Sequence, residues 1–569
     1  MATQWQTFPI EFKGGLISNL SPLQQGTNAV GSATLLQNFE TSKLGGYAKL
    51  KGYEKYSSIQ VPGSGPILGL KVISSGRIVA SRKNASNKTE YYYSTGTTWT
   101  SMGETALTNG LKAKSALYNL GTSDKVIFVD GINFPVIYNT AGNTTLELQN
   151  TTPSSPGYVG TNDPRAAEHV VIFKSTAFYA KGNTLFFTAP FSVDDFSVAN
   201  GAGSISVSAN ITGLSIFRDQ LIIFTTNTVQ RLTGSTAADF QVSPITDRIG
   251  CINGDTIQEF GGDIMYLAPD GIRLLSATDR IGDFGLDIAS DKIAKDSISF
   301  LGSTPIFSSV ILREKGQYRI FAYIESENAR VSKGLIATKF ISQGGSGVNW
   351  STTKGIKAYI SDSRYTNTEE TISFANSDGY VYIMETGSTF DGVSIEAIYE
   401  SPFMPLTDPQ VRKSFYKMTL YAQPSGNMNL DLNIKYNFAS SSDLTTVQPA
   451  TQQIVGTGTS VFIYGDSESL FASSDRVTGV DTLGNPRRNT ALVSPAGPWL
   501  SFPDQSGPFY NELGITFSPA TYGGELDSVY NTNIIGSGKT LAIRIEDNTT
   551  NPTFTLDTAL IEFSQEDRQ

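Results

Sequence analysis

The sequence predicts an all-β protein, a β-propeller followed by a C-terminal β-sandwich-like domain, and three observations support this prediction. Runs of β-branched and aromatic residues, about five to seven residues long, recur between Gly, Asn and Asp. These runs pair into hairpins that repeat every roughly 44 to 57 residues, close to the period of four-stranded propeller blades. Helical periodicity is nearly absent, and the best candidate helix is 287–298 (DIASDKIAKDSI).

Turn residues of similar composition mark the repeats. Asp-Gly separates two apolar runs at 130–131, 270–271 and 378–379, and Gly182-Asn183 and Thr226-Asn227 stand in the same place in two further units. Asp-Gly favours the type I′ turn of a two-residue hairpin loop. Seven blades are favoured within a range of six to eight, and stacked sandwiches are the alternative. The predicted blades begin near Ile67, Leu111, Glu168, Thr212, Thr256, Ile306 and Ile356.

An aromatic residue follows a polar turn at the end of several repeats. Trp99, Phe196, Phe240 and Trp350 are the examples. We expect these side chains in the apolar layer between neighbouring blades. Radial closure suits such a chain, because it leaves only short and protected strand edges.

The chain divides into three predicted parts. Residues 1–60 form an N-terminal docking segment with strands, residues 61–400 the propeller, and residues 401–569 a C-terminal β-domain with long loops. In the last part, alternating patterns predict strands at 412–423, 430–438, 513–519, 539–547 and 554–564. Polar stretches at 439–461 and 475–498 are typical of loops.

Composition excludes several classes of function. A chain of 569 residues exceeds a single hydrophobic core. Its net charge of −10 is opposite to the basic surface that grips nucleic acid. One cysteine, Cys251, excludes an intramolecular disulfide and favours assembly in a reducing cytoplasm. The N-terminus shows no export signal, and no apolar run is long enough to span a bilayer.

Residues suited to acid–base or nucleophilic catalysis are scarce. His169 is the only histidine, so neither a Ser-His-Asp triad nor a histidine-rich zinc site can be formed. We interpret His169 as structural and Cys251 as a buried, inert thiol. The sequence therefore predicts no enzyme, no catalytic residue, no cofactor and no metal site.

Carboxylates and tyrosines offer weaker alternatives. Asp279, Asp283, Asp287 and Asp291 recur every four residues, but the spacing is not that of a calcium loop, and we interpret them as a solvated turn. Asp194-Asp195 is interpreted as a turn at a blade corner. The cluster 91–93 (YYY) could stack on sugars or bases, although packing within the propeller is the favoured interpretation.

A series of motifs near the N-terminus resembles a known family. Within residues 11–56, the chain has Gly14-Gly15-Leu16, Asn38-Phe39-Glu40, Gly45-Gly46-Tyr47 and Gly52-Tyr53. Together they resemble the opening of the tail tubular protein B or nozzle (tail hub) family of short-tailed double-stranded DNA bacteriophages. Where that family commonly has two arginines, this chain has Ala48-Lys49. Further stretches similar to the family are 216–234, 249–276, 414–422 and 561–568.

The resemblance implies a structural virion protein of a phage tail. Such a protein would be assembled in the host cytoplasm and form a homo-oligomeric ring, with six-fold symmetry favoured. The ring would extend the portal–adaptor channel, retain the packaged genome and conduct DNA during ejection. The implied partners are adaptor and portal-side tail proteins, tail fibres, and phage DNA passing without sequence-specific binding.

Two other functions remain open from the sequence. A receptor-binding or glycan-degrading tail propeller would use the carboxylates and the tyrosine cluster, since glycosidases need only two carboxyl groups. A host surface adhesin would need an export route, which we do not find in the sequence.

Overall fold

The computed structural model describes most of the chain. The described residues are 5–42, 45–74, 76–102, 107–119, 124–140, 146–148, 164–275, 288–301, 306–342, 345–366, 369–438, 451–456, 462–463, 521–522 and 529–566.

The chain begins with five strands and one helix that join sheets formed by much later residues. The strands are β1 (Trp5–Glu11), β2 (Leu35–Gln37), β3 (Phe39–Thr41), β4 (Tyr47–Lys49) and β5 (Tyr53–Lys55). Helix α1 (Pro22–Asn28) follows Ser21, which forms a capping box with Gln24.

Seven antiparallel sheets then follow as the blades of a β-propeller, which confirms the predicted fold class. The strands of blades 1 and 2 are β6 (Ser64–Ser74), β7 (Arg77–Lys83), β8 (Thr89–Ser94), β9 (Trp99–Ser101), β10 (Lys114–Tyr118), β11 (Lys125–Val129), β12 (Val136–Asn139) and β13 (Leu146–Leu148). Those of blades 3 and 4 are β14 (His169–Phe173), β15 (Thr176–Lys181), β16 (Thr184–Phe187), β17 (Gly203–Ser206), β18 (Ile211–Phe217), β19 (Gln220–Thr225), β20 (Val229–Thr233) and β21 (Gln241–Thr246).

The remaining three blades are less regular. The strands of blades 5 and 6 are β22 (Gln258–Phe260), β23 (Asp263–Ala268), β24 (Gly271–Leu274), β25 (Ile306–Leu312), β26 (Gln317–Tyr323), β27 (Lys333–Ser342) and β28 (Gly345–Lys354). Helix α2 (Ala294–Leu301) lies between β24 and β25. The strands of blade 7 are β29 (Ile360–Thr366), β30 (Glu369–Ala375) and β31 (Val381–Met384), followed by the short hairpin β32 (Thr389–Phe390) and β33 (Val393–Ser394).

Two features close the ring. The innermost strands of neighbouring blades contact each other around the ring, and β29 of blade 7 contacts β6 of blade 1. Between blades 4 and 5, β18 contacts the 3₁₀ turn Gly254–Thr256 that precedes β22. The N-terminal strand β5 pairs with β31 and so completes blade 7, with Tyr382 opposite Lys55 and Met384 opposite Tyr53. The first and last blades are therefore joined by a segment from the beginning of the chain.

The last strands form a sandwich with the N-terminal ones. They are β34 (Ala397–Glu400), β35 (Lys413–Pro424), β36 (Met428–Tyr436), β37 (Gln452–Gly456), β40 (Val529–Gly538), β41 (Leu541–Asp547) and β42 (Phe554–Gln565), while β38 (Phe462–Ile463) and β39 (Thr521–Tyr522) pair separately. One layer contains β1, β3, β4, β42, β35 and β40. The other continues blade 6 through β2, β34, β41, β36 and β37, so one nine-stranded sheet runs from propeller to sandwich.

Apolar side chains fill the layers between blades as the sequence predicts. Trp99 packs with residues of blades 1 and 7, and Phe196 packs between blades 2 and 3. Phe240 lies against Phe178 of blade 3 at a ring-centroid distance of 5.4 Å. Trp350 is completely buried where blades 5 and 6 meet the sandwich. These four predictions are confirmed.

The predicted blade starts agree with the structure, but some local details were wrong. The largest difference from an observed inner strand is four residues, for Ile360 against the predicted Ile356. None of the three Asp-Gly pairs fills a two-residue turn as predicted. In one unit the turn is Pro269-Asp270 and Gly271 begins β24. In the other two units residues 130–135 and 376–380 form longer loops. In both loops the aspartate accepts backbone N–H groups two residues later.

Predicted boundaries shift elsewhere. The helix predicted at 287–298 is a 3₁₀ turn at Asp291–Ile293 followed by α2 at Ala294–Leu301, and residue 287 lies outside the described residues. The predicted strand at 513–519 and the predicted loop at 475–498 also lie outside them. The division into 1–60, 61–400 and 401–569 stays a prediction, although strands from the first part join both of the others.

Candidate functional site

A polar cavity of about 190 Å³ lies at the axis of the propeller. All seven blades contribute to its wall, because the inner strands converge there. Its charged and imidazole side chains, here called the channel cluster, are Lys71, Lys112, Lys114, His169, Asp255 and Asp362.

Two aspartates anchor the channel cluster. Asp362 accepts hydrogen bonds from Lys71 Nζ and from the backbone N–H of Val72, each at 2.8 Å. Asp255 binds Lys112 Nζ through Oδ2 at 3.0 Å and Lys114 Nζ through Oδ1. The cluster therefore contains three lysines and only two carboxylates.

The lysines of blade 2 differ in their surroundings. Lys112 also donates to the carbonyl oxygen of Phe307 at 2.8 Å, and its ammonium lies 5.3 Å from the ring centroid of Tyr359. Burial lowers the pKa of Lys112 to about 7. Burial, together with the nearby charge of Lys112, lowers the pKa of Lys114 well below its ordinary range.

The only histidine lies at this wall, whereas the only cysteine lies in the apolar layer between blades 4 and 5. Burial and the charge of Lys114 lower the pKa of His169 to about 3, so its imidazole is neutral at pH 7. Cys251 is buried and its Sγ lies 3.2 Å from the carbonyl oxygen of Asn253. Burial raises the pKa of Cys251 to about 11, which makes its thiol a poor nucleophile.

The aspartates singled out in the sequence have separate surroundings. Asp279, Asp283 and Asp287 lie outside the described residues, and Asp291 begins a 3₁₀ turn, where its carboxylate accepts from Asn19. Asp194 and Asp195 both lie in a turn organised by Ser192, as expected for a blade corner. In the described part of the chain, no three His, Cys, Asp or Glu side chains stand close enough together to hold a metal ion.

The tyrosine cluster packs inside the propeller. Tyr91 is buried against Phe128 of blade 2, with ring centroids 5.1 Å apart. Tyr92 belongs to the apolar layer between blades 1 and 7. These two rings are not free to stack on a ligand.

A cleft of about 520 Å³ lies beside blade 7 and is lined by three carboxylates, Asp378, Asp391 and Glu396. Asp378 accepts a hydrogen bond from Tyr382 Oη at 2.6 Å, and Asp391 forms an ion pair with Lys55 at 2.9 Å. Glu396 forms an ion pair with Lys354 at 3.0 Å, so all three carboxylates already have structural partners.

The family-like motifs meet where the propeller joins the sandwich. The Leu16 N–H donates to the carbonyl oxygen of Trp350 at 2.7 Å, and Gly15 approaches the Trp350 backbone so closely that a Cβ would lie 2.8 Å from that oxygen. Asn38, at φ +54°, donates through Nδ2 to the carbonyl oxygens of Lys354 and Glu396, at 2.9 Å each. These motif residues attach the N-terminal segment to blade 6 and to β34.

Two buried ionic contacts support the same junction. Glu40 of the Asn-Phe-Glu motif accepts from Arg319 at 3.0 Å and also pairs with Lys315. Lys49 stands where the family commonly has an arginine, and its Nζ pairs with Asp547 at 2.7 Å with both side chains buried. Lys49 thus keeps a basic contact here, between β4 and β41.

One face of the sandwich carries exposed apolar groups among Ser, Thr and Asn. We call the outward side of β1, β42, β35 and β40 the sandwich face. Register places Tyr421 opposite Val529 on this face, and their exposed fractions are 37% and 46%. Trp5 is 58% exposed at its other edge and packs on Tyr416 with ring centroids 4.3 Å apart.

No described helix is both long and apolar enough to cross a membrane. No protein-family model matches the chain, and no curated protein matches it in sequence.

Several solved structures resemble parts of the chain. The extracellular domain of a hybrid two component system from B. thetaiotaomicron is 12% identical to this chain, with a TM-score of 0.36. The match covers 59% of this chain and 42% of that domain. The extracellular domain of a one component system from the same organism is 10% identical, with a TM-score of 0.35, and the match covers 74% of this chain and 50% of that domain. An ancestral GH74 enzyme is 11% identical, with a TM-score of 0.40, and the match covers 58% of this chain and 49% of that enzyme. The chain thus spans half or less of each structure, and no inference about activity follows from similarity at this level.

Proposed function

We propose that the protein is a structural subunit of a bacteriophage tail, where copies of the chain form the ring of a hub or nozzle. The ring would extend the portal–adaptor channel, retain the packaged genome and conduct it during ejection. Tail proteins on the adaptor side and tail fibres would dock on this ring. The work of such a subunit is mechanical, and the proposal requires no catalytic group.

The sandwich face is the observation that carries the proposal. Trp5, Tyr421 and Val529 are exposed on a sheet that also carries Ile535, which is 73% exposed, and the ion pair of Lys417 with Glu562. Tryptophan and tyrosine are enriched in the cores of protein–protein interfaces. A second copy of the chain is the partner that a ring requires at this face.

The joint between propeller and sandwich supports a mechanical role. One nine-stranded sheet continues from blade 6 into the sandwich, and the N-terminal segment is fixed to both by hydrogen bonds and buried ion pairs. Force applied to one part is therefore transmitted to the other through paired strands. The residues at this joint are the ones that resemble the tail family.

DNA would pass through the assembled ring without specific binding. The chain has a net charge of −10, so a lumen made of such subunits would repel phosphate groups on average. This repulsion would keep the DNA mobile during ejection.

A glycan-binding tail propeller is the second candidate, and the cleft beside blade 7 favours it. The cleft has room for a sugar and offers hydroxyl, amide and carboxylate groups. Because Asp378 and Asp391 are engaged by Tyr382 and Lys55, the cleft suits binding better than glycoside hydrolysis.

Electron microscopy of the purified chain, alone and with tail partners, tests the proposal. We expect closed rings, and we expect Val529→Lys to abolish them, because a charge would be buried in the interface. Val331→Lys is the matched control, since Val331 is also 46% exposed but lies in the propeller. Rings that persist in Val529→Lys would exclude the sandwich face as the interface, and tight binding of host glycans by a persistent monomer would favour the second candidate.

A further inference from the structure

We propose that the channel cluster binds one small oxyanion, of the size and charge of phosphate, at the axis of the propeller. This site is independent of the ring interface and can be tested on the single chain.

The balance of charge is the first argument. Three lysines face two aspartates across the cavity, and His169 adds no positive charge because its imidazole is neutral. A buried charge without a partner is costly. The cluster therefore either loses a proton from one lysine or takes up an anion.

Hydrogen-bonding capacity is the second argument. An ammonium group has three donors. Lys112 uses its donors on Asp255 and the Phe307 carbonyl oxygen, and its charge faces Tyr359. Among the described residues, the Lys71 ammonium donates only to Asp362 and the Lys114 ammonium only to Asp255. Each of these two lysines keeps donors for a ligand in the cavity.

Each oxygen of the two aspartates already accepts one donor, which leaves it one further lone pair. Both oxygens of Asp362 are occupied, one by Lys71 and the other by the Val72 N–H. Both oxygens of Asp255 are occupied by lysines. Water or a bound anion in the cavity is the further acceptor that we propose for the free donors of the lysines.

The cavity has suitable size and polarity. About 190 Å³ would hold about six waters at the volume of liquid water. Ser308 and Ser361, whose hydroxyl oxygens lie 3.0 Å apart, add polar groups to the wall. A tetrahedral oxyanion with a few waters fits this space, whereas a nucleotide does not.

Anion binding should be linked to proton uptake. Without the anion, burial lowers the pKa of Lys112 to about 7 and also lowers the pKa of Lys114. A bound anion stabilises the ammonium forms and raises both pKa values again. The other charged groups facing them are Lys71, Asp255 and Asp362, and His169 stays neutral.

Titration calorimetry with inorganic phosphate at constant ionic strength tests the site. We expect wild-type protein to bind phosphate at pH 8 with uptake of protons, seen as a heat that differs between buffers of different ionisation enthalpy. Lys114→Gln should weaken binding at least ten-fold, because the two remaining lysines are then balanced in charge by the two aspartates. Lys114→Arg keeps the charge and should retain binding.

Thermal unfolding supplies a readout that also reports on folding. Phosphate should raise the unfolding midpoint of the wild type more than chloride does at equal ionic strength, and it should not do so for Lys114→Gln. Lys181→Gln, on an exposed lysine at the end of β15, is the matched control and should respond like the wild type. Equal effects of phosphate and chloride on the wild type, or unchanged phosphate affinity in a folded Lys114→Gln, would overturn the proposal.

Discussion

Glu40, in the N-terminal strand β3, and Arg319, in blade 6, form a buried ion pair with an O–N distance of 3.0 Å. The same guanidinium pairs at 2.7 Å with Glu385, which follows β31 of blade 7. Burial alone would raise the pKa of Glu385, but the charges of Arg319 and Lys315 lower it below its ordinary value. Two acids and two bases thus join the N-terminal segment to blades 6 and 7.

Removing one charge from this network should destabilise the fold. We expect Glu40→Gln to lower the free energy of unfolding by about 3 kcal/mol, because it leaves buried positive charge without its partner. Glu11→Gln, at a side chain that is 60% exposed, should change stability by less than about 0.5 kcal/mol. Urea denaturation of both variants measures the difference, and equal stability would show that the network does not hold the segment.

Closure of the ring by β5 depends on close approach of Gly52. A Cβ at this position would lie 2.0 Å from the Thr389 carbonyl oxygen, whereas one at Gly76 would meet nothing within 4 Å. We expect Gly52→Ala to destabilise the protein by about 1–3 kcal/mol and Gly76→Ala to have almost no effect. Thermal unfolding and protease cleavage near residue 55 measure this, and a stable Gly52→Ala protein would contradict closure by β5.

Acid should destabilise the propeller through His169. Its pKa is about 3 in the folded protein against about 6.5 when unfolded. The contribution of the neutral imidazole to the free energy of unfolding is therefore fully present above pH 6.5. It is lost as the pH falls from 6.5 towards 3. At pH 5 the loss would be at most about 2 kcal/mol.

His169→Gln isolates this effect, because the chain has no other histidine. The variant should lose less stability than the wild type between pH 7 and pH 5, measured by urea denaturation. Identical pH profiles would show that the imidazole titrates normally and is not held neutral at the channel.

Local sequence patterns predicted the repeat but not the contacts between distant segments. Trp99 and Trp350 could be assigned to layers between blades because an aromatic side chain after a polar turn fits that layer. The insertion of β2 between β28 and β34 had no such signal, since it depends on partners more than 300 residues away, such as Thr352 for Gln37. The ion pair between Glu40 and Arg319 could not be predicted for the same reason, because its two residues are far apart in the sequence.

The channel cluster was also missed, and only part of it could have been found. Lys112 and Lys114 are two residues apart at the start of an inner strand, so an alternating pattern could have placed both on the channel side. Nothing in the sequence near them indicates Asp255, which reaches them only because the ring closes. His169 was interpreted as structural, and the structure places it at the channel wall.

The central claim is that this chain assembles with copies of itself through the sandwich face. Analytical ultracentrifugation of the purified protein over a range of concentrations and salt tests it most directly. We expect a single species with the mass of a closed ring, with six copies favoured, and monomers for Val529→Lys but not for Val331→Lys. A wild-type protein that stays monomeric under every condition, including with tail partners present, would contradict the claim.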